Sequence, residues 1–269
     1  MTTRTRQVNI KIGESEIYDP HPRRGNPPVG ARGYSPAGRI FRYSQASATA
    51  LTVGQLCRKP ANDNQHADMA VATACSAGVR TFTATMLGPA VALDDYKDGL
   101  VYVNDGSDQG HIYAIVGNSA TLGGGTLTLD INTKTITALT TSSYVTIIKN
   151  RYDGVRVTEP SPVERTLGAA PVAVTASYYF WLQTGGPACL IQDGELYENR
   201  DVVPSVTVRG ATMAAGAAIT GENVVFDRAG VQRLVEVDLP EGAVPSNAFG
   251  YALDPRVDTD HALVQMELD

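Results

Sequence analysis

Cysteine, tryptophan and helical periodicity are all scarce in this chain. Three cysteines occur in 269 residues. Cys57, Cys75 and Cys189 form no C-x-x-C pair and have no histidine at metal-site spacing, which argues against a disulfide framework or a zinc module as the scaffold. They read as small apolar residues, buried, in a protein made in a reducing cytoplasm. No apolar run approaches the roughly 18 residues that a membrane-spanning helix needs. The opening MTTRTRQVNIKIG carries charge with no apolar stretch behind it, unlike a secretory leader. Helix-spaced apolar residues are confined to a weak run at Ala61–Ala77. The glycine-rich phosphate loop, the H-E-x-x-H zinc helix and the dinucleotide fingerprint are all missing. With 22 basic against 28 acidic side chains the formal charge is −6, which disfavours general nucleic-acid binding.

What fills the chain is β pattern. VNIKI, VRTFTATM, TLTLDI and YVTII alternate apolar and polar residues, and LVYVN and HIYAIV are short β-rich runs. Turn residues separate them: NDGSDQG (Asn104–Gly110) reads as a hairpin loop and LGGGTL (Leu122–Leu127) as a glycine turn. With 26 Gly and 15 Pro, the expectation is an all-β protein built as barrels or sandwiches. Residues 1–36 contain DPHPRRGNPPVGARGYSP, whose prolines break helix and central strand alike, and read as an extended N-terminal arm ordered against a partner. Residues 37–69 and 150–269 read as two parts of a base β-barrel or sandwich domain. Residues 70–149 read as a second β domain inserted into it.

Charge is distributed unevenly along this plan. Residues 1–60 hold ten basic and three acidic side chains, whereas residues 194–269 hold five and thirteen. A basic leading end suits docking on an acidic protein surface. Arg4, Arg6, Arg23, Arg24 and Arg32 are therefore candidate partner-binding residues. Two adjacent arginines without interleaved aromatics favour a protein partner over nucleic acid.

Candidates for chemistry are thin. GYSPAG (Gly33–Gly38) misses the nucleophile elbow because its second glycine comes late and a proline follows the serine. His21, His66, His111 and His261 each lie in a different zone. Asp94, Asp95 and Asp105 could form an acid pair for hydrolysis or join a Ca²⁺ site, but Asp in such stretches more often builds turns. No catalytic, cofactor or metal residue is assigned. YYFWLQTGGPACLIQDG (Tyr178–Gly194) holds the single tryptophan, Trp181. It reads as two strands joined at TGGPA. A strand covered on both faces takes such a pattern, and so does the centre of a subunit contact. Tyr179 and Trp181 accordingly join the candidate partner-binding residues, and a ligand-stacking platform is disfavoured.

Four segments taken in order carry a resemblance: GRIFRYSQASATALTVGQLCR, YKDGLVYVNDGSDQGHIYAIVGN, PVAVTASYYFWLQTGGPACLI and FGYALDPRVDTDHALVQMEL. Across most of residues 38–269 the chain resembles a group of virion proteins of tailed bacteriophages. The most specific part is YYFWLQTGGPA, with Ser177 where glycine is expected. The base is similar, at pattern level, to small β-barrel capsid cement proteins, Gly250 and Ala252 included. The resemblance implies a non-enzymatic capsid decoration protein that binds the outer surface of the head and stabilises contacts between capsomers. It would be a homotrimer whose partner is the major capsid protein, assembled in the host cytoplasm, with no cofactor, no membrane and no direct nucleic acid. The alternatives are a tail, baseplate or head-fibre adhesin whose inserted domain binds host glycan, and the acid-pair hydrolase.

Overall fold

The computed structural model describes residues 10–61, 66–160, 165–198, 201–215, 224–226, 232–234, 248–254 and 261–268. It is almost entirely β. The chain opens with β1 (Ile10–Lys11), the one-turn helix α1 (Glu14–Ile17) and β2 (Arg32–Tyr34), then enters the base with β3 (Ile40–Ala46) and β4 (Leu56–Arg58). Six strands follow: β5 (Met69–Ala70), β6 (Thr81–Thr85), β7 (Leu100–Asp105), β8 (Ile112–Asn118), β9 (Thr126–Ile131) and β10 (Tyr144–Ile148). The base resumes with β11 (Asp153–Val157), β12 (Gly168–Ala169) and the long β13 (Tyr179–Ile191). After these come β14 (Asp201–Pro204), β15 (Thr212–Ala214), β16 (Val224–Phe226), β17 (Gln232–Leu234), β18 (Gly250–Asp254) and β19 (His261–Glu267).

Pairing sorts these strands into rings. In the base, β3, β11, β4, β12 and β13 pair in that order, and β13 pairs back with β3, closing a five-stranded barrel. The far half of β13 continues through β19, β18, β14 and β15. A parallel bridge between Gln192 and Thr212 nearly closes this second ring. Between β4 and β11 the chain leaves for the six-stranded sheet β5-β10-β7-β8-β9-β6, which a bridge between Val71 and Ala84 brings close to closure. Each ring has its own apolar interior. Val155, Val157, Phe180 and Leu182 fill the first, Leu190, Val202, Ala252 and Val264 the second, and Phe82, Val101, Ile115, Leu127 and Leu129 the inserted one. Closure removes exposed strand edges, which otherwise template aggregation.

Two local readings of the sequence are corrected. TGGPA is not a turn: β13 runs unbroken through it. Its register against β3 shifts between Gln183 and Gly185, a β-bulge that kinks the strand and turns it from one barrel to the other. Gly186 sits at φ +79, where a Cβ would be strained, and an added Cβ would also lie 3.0 Å from the Gly38 carbonyl oxygen. The buried Gln183 amide spans the bulge, donating to Pro187 O at 2.7 Å. The cysteines are not uniformly buried: Cys57 is, Cys75 is half-buried, and Cys189 is exposed on the outward face of β13. The weak helical run at 61–77 forms no α-helix among its described residues.

The loops of the inserted barrel are held by Asp108 in the NDGSDQG hairpin. Its carboxylate accepts from Thr137 N at 3.0 Å, from Thr137 Oγ1 at 2.6 Å and from the Tyr113 hydroxyl. Burial works to raise the Asp108 pKa, but these donors outweigh it and hold the group below its ordinary value. Burial and the same carboxylate push the Tyr113 phenol up to about 12. A carboxylate depressed by folding contributes stability above its unfolded titration range and loses it as pH falls. Asp108→Ala should therefore destabilise the inserted barrel by roughly 2–4 kcal/mol at neutral pH. Thermal melts of the variant and the parent should converge as the pH is lowered through the carboxylate range.

Candidate functional site

Two places concentrate side chains that the sequence singles out or that carry unusual chemistry: the seam beneath the N-terminal segment, and the cleft where the base meets the inserted barrel. The seam is built by alternation along β13. Phe180 and Leu182 point into the first barrel, so Tyr179 and Trp181 point away from it. Residues 10–36 cover that outer face. Ile12 and Ile17, essentially without solvent exposure, pack with Phe41, Tyr43 and Trp181. Trp181 is directly opposite Tyr43 on β3, with their rings edge to face at 5.2 Å, and Tyr43 stacks on Tyr179 at 5.9 Å. β1 pairs parallel with β2, β2 antiparallel with β3, and His21 bridges to Tyr179. An added Cβ at Gly33 would lie 2.2 Å from Ile12 Cδ1 and 2.9 Å from Trp181 Cζ3, so glycine is what lets the layer close.

The surface on which this extended segment lies is thus the chain's own base, and an external partner is not needed to order residues 10–36. Arg4 and Arg6 lie outside the described residues. Arg23 is exposed. Arg24 forms an ion pair with Asp98 of the inserted barrel. Arg32 is half-buried on β2, opposite Arg42 of β3. Trp181 is 7 % exposed and Tyr179 partly buried, so neither offers a broad surface while the segment is docked.

The second place escapes the sequence. The Asp98 carboxylate that pairs with Arg24 also accepts from Val29 N at 2.8 Å. The Asn150 amide donates to Val29 O and to Asp98 O, both at 3.0 Å, and its oxygen accepts from Tyr152 N at 3.0 Å. One bond network thereby joins the N-terminal segment, the inserted barrel and the base. Beside it opens a cleft of about 480 Å³, lined by Lys59, Pro60, Arg151 and Asp153 from the base side and by His66, Pro89, Asp95, Tyr96 and Lys149 from the inserted side. Lys149 donates to Asp95 at 2.5 Å and its ammonium lies 5.6 Å from the Tyr96 ring centre, while the Tyr96 hydroxyl bonds His66 Nδ1. Asp153 is raised above its ordinary pKa. Burial is the main cause, the nearby Asp95 adds to it, and Lys149 and Arg24 oppose it. The only advance sign of this site is that charged residues flank both crossings into the insert, Lys59 on one side and Lys149, Arg151 and Asp153 on the other.

The proposed acid group is dispersed. Asp95 is paired with Lys149, Asp94 reaches Lys97 at 3.5 Å, and Asp105 accepts from Gly106 N at 2.8 Å. Of these three Asp94 adopts positive φ, as do Asp68, Asp98 and Asp108 elsewhere in the inserted barrel's loops, the turn role that Asp tolerates. The histidines keep separate partners: His21 near Asp19, His66 on Tyr96, His111 on Asp108 O and His261 near Val53 O. Among the described residues no three His, Cys, Asp or Glu side chains converge as metal ligands, and no helix is long and apolar enough to cross a membrane. An acid with a raised pKa beside a second carboxylate is a pattern seen in active sites, but structural ion-pair networks produce it too. Comparison with protein-family models, with curated proteins and with solved structures returns no match.

Trp181→Ala should cost about 3–5 kcal/mol, the range for emptying a large aromatic site, read as a shifted urea midpoint. Asp153→Asn should act in the opposite direction. Folding favours the protonated form of Asp153, so its contribution is greatest below the unfolded carboxylate range and is withdrawn as pH rises through the higher folded value. The amide should raise the melting temperature at neutral pH, with the gain shrinking towards acid. A destabilised variant at neutral pH would mean that attraction from Lys149 and Arg24 outweighs burial.

Proposed function

We propose that this chain is a non-enzymatic structural protein of a tailed-phage particle, a decoration protein on the outer surface of the head that stabilises contacts between capsomers as a homotrimer bound to the major capsid protein. The observation that carries this reading is the cross-brace of Arg24, Asp98, Val29 and Asn150. A part that staples neighbouring subunits must transmit load, and it does so only if its own bodies are fixed to one another. Polar side chains at the junction are spent on that bracing and on the Lys149–Asp95 and His66–Tyr96 contacts. The resemblance of YYFWLQTGGPA and the C-terminal strand pair to virion proteins points the same way.

Two surfaces suit the contact with a capsid. One is the basic N-terminus, now narrowed to Arg4 and Arg6, which precede the docked segment, and the exposed Arg23. The other is apolar. Leu87, Leu93 and Leu122 are 65 %, 71 % and 79 % exposed, on two loops that hydrogen-bond to each other through Val91 and Thr121. Exposed leucines grouped on neighbouring loops favour protein contact over sugar recognition. Removing residues 1–9, which carry Arg4 and Arg6, leaves every described residue of the docked layer in the chain. It should weaken sedimentation with capsids at moderate salt. Electron microscopy of particles carrying the protein should show density on the head. Density at the tail tip instead would favour the adhesin reading, and absence from the particle would end both.

A further inference from the structure

The outer face of β4 and β11 carries a charge arrangement that neither the fold nor the proposed role explains. Arg58 and Arg156 are Cα partners across the antiparallel ladder. Directly opposite side chains start with their Cβ atoms about 4.5–5.5 Å apart, and like charges so placed destabilise a sheet. A third guanidinium arrives from the loop before β15. Arg209 reaches Glu159 Oε1 at 2.8 Å, and Arg58 reaches the same oxygen at 3.4 Å. Two guanidinium groups thus share one carboxylate oxygen, and Arg156 starts from the ladder position directly opposite Arg58. Arg58 is 17 % exposed, Glu159 39 % and Arg209 51 %, so the cluster runs from a covered arginine out to solvent.

Two donors on the same face are unspent. Arg156 Nε and Thr158 Oγ1 are both buried without a hydrogen-bond partner. They are two residues apart on one extended segment, whose ladder continues past β11 as Thr158 N donates to Leu56 O, so they face the same way. A buried donor left unpaired costs about 1–3 kcal/mol. Native structures keep few of them, and a bound ion or water is a standard reason. Paired like charges and unspent donors on the same face have one economical explanation: an anion belongs there.

We propose that Arg58, Arg156 and Arg209 form an oxyanion site for a tetrahedral dianion of the phosphate class, with Arg156 at its centre. The planar guanidinium presents parallel N–H donors that match a phosphoryl group, and a doubly charged oxyanion offers acceptors enough for several of them. Glu159 holds Arg58 and Arg209 together and offsets part of the repulsion among the arginines. The site takes either the free ion or a terminal phosphate ester, and the two share the same contacts.

The test is isothermal titration of the full chain with inorganic phosphate and, separately, with O-phosphoserine as a small monoester, in buffers matched with chloride for ionic strength. Saturable binding of phosphate is expected. It should weaken about tenfold in Arg209→Gln, which loses one charge-assisted contact of about 1.5 kcal/mol. It should disappear in Arg156→Met. Because Arg156 is partly buried, its variant is first checked for an unchanged circular dichroism spectrum. If it fails to fold, the exposed Arg209 decides the matter alone. Glu159→Gln should tighten binding, an effect that nonspecific screening would not produce. Binding of both probes assigns a phosphoryl site and binding of phosphate alone a free-ion site. No saturable binding, or equal binding by the parent and Arg209→Gln, overturns the proposal.

Discussion

One strand with apolar residues on both faces organises the base. β13 cannot expose either Phe180 and Leu182 or Tyr179 and Trp181 to water at tolerable cost, so both sides must be covered. The first barrel closes over one pair, and residues 10–36 are drawn across the other. The same strand then passes a bulge at Gln183–Gly185 and becomes a wall of the second ring. The two rings share a backbone, and β13 passes from one to the other at that irregularity. Position in the sequence makes the N-terminal segment look peripheral, yet it is the outer layer of a three-layer arrangement.

The inserted barrel follows a different logic. It leaves between β4 and β11, two strands that are hydrogen-bonded to each other, so the host ladder closes as though nothing intervened. An independent apolar interior lets it fold around its own ring. What remains is to fix its orientation, and polar groups do that. Asp98 and Asn150 are short, direct their bonds specifically, and sit where the N-terminal segment crosses the junction. Apolar packing there would hold the bodies together without choosing an angle. Hydrogen bonds to backbone groups of Val29 and Asp98 choose one.

Much of this plan was legible. TLTLDI and YVTII alternate because each has one face in a barrel interior, and the NDGSDQG and LGGGTL turns fall where glycine and aspartate can take positive φ. The all-β class needed no more than that. The misreadings have definite causes. TGGPA has the composition of a turn, and composition does not separate a turn from a bulge, since both ask for glycine. Cys189 was expected inside because cysteine usually is, but its place on an alternating strand put it outside. The cleft was invisible because Lys59 and Lys149 are ninety residues apart in the chain, and only closure of the host ladder makes them neighbours.

By itself the sequence determined the all-β class, turns such as NDGSDQG and LGGGTL, and the requirement that Tyr179–Leu182 be covered on both sides, since those follow from alternation and side-chain chemistry within a few residues. Tertiary structure alone decided what does the covering, where β13 changes barrels, and which charges meet. Arg58 and Arg156 are unremarkable in the chain. They become a shared problem only when β4 and β11 pair, because electrostatic repulsion depends on distance in space and is blind to distance along the backbone.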